Sequence, residues 1–203
     1  MFIPWAISVA VCIAAICAWG ASYSWQLRYV TAYQIFPLLG LLAFSLMWSH
    51  YMTGFLQKKR VIPENTGTYF RVTSNAVLVL LLLHPGIFIY ERFHDGYGLP
   101  PGSYTTYVAP GLAWVVMLGS VSLLVFLAYE LHRWYEKKSW WRYVLYAGDA
   151  AMIAILYHGL RIGNTLMHGW SRGVWFVYAI ALITVLAYTY GTKLVDKKIS
   201  STA

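Results

Sequence analysis

Six long apolar stretches, each nearly free of charge and each bounded by charged or turn-forming segments, constrain this chain more than anything else in it. They fall at about residues 4–20, 32–56, 74–90, 108–131, 143–160 and 173–190. A helix rises about 1.5 Å per residue, so an apolar run of about 20 residues matches the hydrocarbon core of a bilayer. Only 11% of the residues are charged and 60% are hydrophobic, whereas soluble domains carry about a quarter charged residues. A chain so poor in charge cannot cover its own surface in water. None of the stretches breaks into short alternating strands, which argues against a membrane β-barrel. Pro63 and Asn65, then Pro100, Pro101 and Gly102, mark loops by their turn chemistry. The expected fold class is an all-α membrane protein, a bundle of six transmembrane helices forming a single transmembrane domain over residues 1–203.

Lysine and arginine orient such a bundle, because cytoplasmic loops hold an excess of both. One set of loops carries eleven: Lys58, Lys59, Arg60, Arg71, Arg133, Lys137, Lys138, Arg142, Lys193, Lys197 and Lys198. The other carries four: Arg28, Arg92, Arg161 and Arg172. Both termini are therefore expected on the cytoplasmic side, in a multi-pass protein of a bacterial cytoplasmic membrane. The formal net charge of +8 is then a topology signal, and calls for the lipid bilayer as partner and for no nucleic acid. The first stretch could also be a signal peptide, since Ala18-Trp19-Gly20-Ala21 loosely resembles a cleavage site. Residues 1–5 lack the basic residue of a signal's leading region, so the first helix is expected to be retained. Its Cys12 and Cys17 fit no metal or redox motif and are read as packing residues.

The longest loops, about 57–73 and 91–107, leave no room for a nucleotide-binding domain, and no glycine-rich phosphate loop is present. Chemistry must then take place in the membrane or at its faces. The informative residues are the six histidines, His50, His84, His94, His132, His158 and His168, because ionisable groups within a bilayer are costly and face the bundle interior. Counting 1.5 Å per residue from the flanking charges, His84 lies about 10 Å, and His158 about 5 Å, below the outer boundary. The third and fifth helices run outward, so the two histidines share a leaflet. Two imidazoles on separate helices suit a b-type haem, whose iron takes one on each face. Ala150, Ala151, Ala154 and Gly159 leave space beside His158, and Pro85 removes a helix hydrogen bond just after His84. The alternative reading is that each histidine hydrogen-bonds a neighbouring helix and simply joins the two.

The string Leu81-Leu82-Leu83-His84-Pro85, and the segment running from Trp140-Trp141-Arg142-Tyr143 to Tyr157-His158-Gly159-Leu160-Arg161, resemble the ferric reductase-like transmembrane domain family. That family includes the haem membrane subunit of bacterial methionine sulfoxide reductase and the membrane core of NADPH oxidases. The resemblance covers about residues 31–193. It implies an oxidoreductase or electron-transfer subunit that ligates haem b through His84 and His158. The implied acceptors are extracytoplasmic: ferric iron, oxygen or a redox partner. With no flavin or nicotinamide site in this chain, a separate flavoprotein reductase or a membrane quinol would donate the electrons. Two-haem members carry another histidine 13 or 14 residues away on each ligating helix, where this chain has Phe70 or Arg71 and Val144 or Leu145. One haem is therefore expected. A second haem, or a metal site, would have to use His94 with His168, each ten residues beyond a ligand, or His50 with His132.

Asp149 is the acidic residue placed far inside a helix, at a depth of about 10 to 12 Å that His50 shares. The two could form a proton relay or a structural polar pair. Two further functions stay open at this point: a proton-coupled membrane carrier using Asp149 and His50, and a structural membrane subunit. No inverted repeat or pair of broken helices supports the carrier.

Overall fold

The computed structural model describes residues 2–26, 28, 30–63, 65–167 and 169–202, with side chains except at 133, 134 and 193–202. Six substantial helices form: α1 (Phe2–Ser22), α2 (Ala32–Lys58), α3 (Gly67–His94), α4 (Ala113–Tyr129), α6 (Trp141–Ile162) and α7 (Gly169–Thr202). A single-turn helix α5 (His132–Tyr135) follows α4, and short 3₁₀ turns cover Gly102–Thr106 and Asn164–Leu166. No strand occurs among the described residues. Five helices, α1, α2, α3, α6 and Gly169–Thr192 of α7, are long and apolar enough to cross a membrane.

α4 is shorter than its expected stretch of about 108–131. Pro110 and Gly111 form the middle of a turn that Leu112 N–H closes onto the Ala109 carbonyl at 3.0 Å, with Gly111 at a left-handed φ of +83°, so the helix begins only at Ala113 and has 17 residues. α3 is longer than its expected 74–90. It starts at Gly67 because Tyr69 and Thr73 turn inward and are buried, while the charged Arg71 between them points out. Charge marks where a helix meets polar surroundings, and the helix itself can continue past that point. α7 likewise runs well beyond the expected 173–190.

Large apolar side chains stand on the outside of the bundle: Val9, Ile13 and Ile16 on α1, Val79, Leu82 and Leu83 on α3, Val121 and Leu124 on α4, Ile180 and Ile183 on α7. A water-soluble bundle would put charge on those faces. Inside, α2 packs against α1, α3 and α7, and α4 packs against α6. Contacts give the directions. Along α2 and α3, Tyr33 meets Asp95, Phe36 meets His84, and Ser49 meets Tyr69, so these helices are antiparallel. α4 and α6 are antiparallel too, with Trp114 against Tyr157 and Tyr129 against Trp141. α7 runs parallel to α2, with Phe44 against Trp175 and Lys58 against Thr192. The start of α1, the late turns of α7 and the lysine-rich segments near Lys58 and Lys138 thus share one end of the bundle, called here the basic end.

Polar groups tie the helices together near that end. Ser8, Ser49 and Tyr69 form a triangle of hydroxyls, each side 2.8 Å, joining α1, α2 and α3. The Trp48 indole donates to the Tyr178 carbonyl at 2.9 Å and its ring stacks on the Tyr178 ring, joining α2 to α7.

Candidate haem site

The two antiparallel pairs, α2 with α3 and α4 with α6, build the same local arrangement. On α3, His84 projects towards Gly40 of α2, and its Nδ1 lies 2.6 Å from the Phe36 carbonyl oxygen. On α6, His158 projects towards Gly119 of α4, and its Nδ1 lies 2.8 Å from the Val115 carbonyl oxygen. In each pair the accepting carbonyl belongs to the residue one helical turn before the glycine. The glycines are required by contact. A Cβ on Gly40 would stand 2.8 Å from His84 Cε1, and one on Gly119 would stand 2.8 Å from His158 Cε1. Each imidazole therefore lies directly on a bare stretch of helix backbone.

A carbonyl oxygen only accepts, so Nδ1 of both rings carries the hydrogen and Nε2 carries the lone pair. Among the described residues neither Nε2 has a hydrogen-bond partner. A ring fixed by Nδ1–H to a backbone carbonyl, with Nε2 free, is the state of a metal-ligating histidine. Both histidines line one cavity of about 350 Å³. Its middle is apolar, with Phe44, Leu81, Phe126, Ile155 and Trp175, and tyrosines 23, 33, 104 and 107 stand at the end away from the basic one. Of the small residues expected to make room, Gly159 lines this cavity, while Ala150 faces a different one. Gly40 and Gly119, across the helix interfaces, make room for the two imidazoles themselves. A glycine in the middle of an apolar helix is the one trace they leave in the sequence.

The other expected site residues lie elsewhere. His50 places Nε2 2.6 Å from Thr73 Oγ1, and the Thr73 hydroxyl donates to the Tyr69 carbonyl at 2.8 Å. Thr73 has one hydrogen, so His50 Nε2–H donates to it. Asp149 does not pair with His50. Its Oδ1 accepts from Tyr51 at 2.8 Å and its Oδ2 accepts from Tyr190. His132 stacks on Tyr129, and its Nδ1–H donates to the Tyr129 carbonyl at 3.2 Å, so it is not paired with His50. His94 stacks on Tyr90 at the surface, and His168 lies outside the described residues. No group of three or more His, Cys, Asp or Glu side chains among the described residues could hold a metal ion. Cys12 and Cys17 are unpaired and half-buried. Comparison with protein-family models, with curated proteins and with solved structures finds no match to this chain.

Proposed function

We propose that this protein is a multi-pass membrane electron carrier that holds one b-type haem between His84 and His158. The observation that carries the reading is the pair of imidazoles, each clamped through Nδ1 over a glycine and each with Nε2 left unbonded, lining one cavity. The residues present suit the group: the glycines leave backbone bare beneath each ring, the walls are apolar, and the donors are neutral imidazoles. Bound there, haem would supply one-electron transfer, with His84 and His158 as the residues that would hold it. The chain's own contribution is to orient the two imidazoles, keep their Nε2 unprotonated and exclude water with Phe44, Phe126 and Trp175. The resemblance of the His84 and His158 segments to the ferric reductase-like domain supports the same reading.

With the basic end cytoplasmic, the cavity lies towards the extracytoplasmic face and its tyrosine-lined end is where an external acceptor would approach. Ferric iron, oxygen or a redox partner fits that position. Electrons come from a membrane quinol or from a flavoprotein docked at the basic end. On this reading α4 also crosses the bilayer, because 17 residues lie at the short limit of about 17 to 25 for a spanning helix.

A visible spectrum of the protein purified after haem-supplemented expression tests the proposal. Low-spin haem with a Soret band and a reduced α-band is expected, and a colourless folded protein would overturn it. A carrier reading has one observation in its favour: Asp149 lines a second cavity of about 350 Å³ between α6 and α7. Substrate uptake lost in Asp149→Asn by a protein that binds no haem would support that function instead.

A further inference from the structure

Arg92 lies two turns beyond His84 on the same face of α3, with Phe88 between them. It is thus about 12 Å further from the basic end than His84. Phe88, Tyr33 and Tyr107 line that end of the cavity. Arg92 lies just behind these lining residues, with its Cζ 5.9 Å from the Tyr107 ring centre. The side chain is only 7% exposed. Its guanidinium covers the Tyr97 ring at 3.5 Å and Nη2 donates to Thr106 Oγ1, but the buried Nε has no partner. Among the described residues no carboxylate comes within the 4.0 Å of an ion pair. Asp95, the acidic residue three positions on, accepts from the Tyr33 hydroxyl at 2.6 Å instead.

A buried guanidinium with an idle N–H and no carboxylate in direct contact is an expensive arrangement unless an anion completes it. The geometry points to Arg92 as the residue that binds a carboxylate at the tyrosine-lined end of the cavity, and the carboxylate is a propionate of the haem. This rests on the haem reading above. Porphyrin propionates project from one edge of the ring, and Arg92 lies beyond His84 on the side away from the basic end, where such an edge would meet it. Nη2 is already held by Thr106, which fixes the fork and leaves Nε for the anion. A purely structural role, in which Arg92 only clasps the loop carrying Tyr97, Thr106 and Tyr107, makes the opposite prediction about the ligand's charge.

The detergent-purified apoprotein is titrated with haem and with haem dimethyl ester, whose propionates carry no charge. The wild type is expected to bind free-acid haem about tenfold to a hundredfold more tightly than the ester, the range for hydrogen bonds to charged groups. Arg92→Gln is expected to lose that preference and bind both compounds as the wild type binds the ester. Equal affinity of the wild type for the two compounds, or a preference that survives in Arg92→Gln, overturns the assignment. Where Arg92→Gln does not fold, Arg92→Met fills the space without charge and is judged by the same two outcomes. Binding of neither compound by folded wild type overturns the haem reading itself, whereas failure of Arg92 alone leaves it standing.

Discussion

The two halves of the bundle treat buried polar groups in opposite ways. Near the basic end, most polar groups close on one another: Ser8, Ser49 and Tyr69 form a triangle, His50 donates to Thr73, and both Asp149 oxygens accept from tyrosines, while the buried Thr53 hydroxyl is left without a partner among the described residues. In the other half, His84 and His158 each engage one nitrogen and leave the second without a protein partner among the described residues, with both residues lining one cavity. Unsatisfied polar groups are expensive in a bilayer, and a ring nitrogen left open beside a cavity is one that a ligand can complete. An intramembrane histidine is therefore informative through its second nitrogen, and its presence alone says little.

The contrast can be broken by substitution. The largest effect is expected at the ligands: His84→Ala or His158→Ala should abolish haem binding, measured by the Soret absorbance of purified protein. Low-spin haem retained in both variants would show that other residues hold it. Next come the glycines. Gly40→Val or Gly119→Val places a side chain where an imidazole lies, and either should lose most of the haem while the helical circular dichroism persists. A smaller effect is expected for Asp149→Asn, which weakens two phenol hydrogen bonds joining α2, α6 and α7; about 1 to 3 kcal/mol of stability, read as a lower melting temperature with the haem spectrum unchanged. The smallest belongs to His50→Gln, at about 1 kcal/mol, again with the spectrum intact. A spectral change in either of the last two variants would mean that the halves are coupled.

The six apolar runs were readable because bilayer thickness sets the length of a spanning helix. His84 and His158 were readable because an ionisable residue is conspicuous in such a run, and the antiparallel pairs do bring them to one cavity. The pairing of His50 with Asp149 failed for a geometric reason. Rise per residue gives depth, but not the direction in which a side chain points about the helix axis. One residue along α2 is a rotation of about 100°, and it is Tyr51 that faces Asp149 while His50 faces Thr73. Gly40 and Gly119 escaped notice because their role exists only across an interface. Nothing within α2 or α4 shows that an imidazole will rest there. The late start of α4 does leave a mark in the sequence, because Pro110-Gly111 is a turn-forming dipeptide inside the apolar run, and Gly111 takes that turn's positive φ.

The clamps on His84 and His158 end on main-chain oxygens of Phe36 and Val115. Every amino acid offers that oxygen, proline included. Positions 36 and 115 can thus drift in identity without releasing either imidazole, while 40 and 119 cannot accept even a methyl group without displacing one. Among distant relatives the trace of this site would be two histidines and two glycines on four helices, with the acceptors themselves leaving no mark in the sequence.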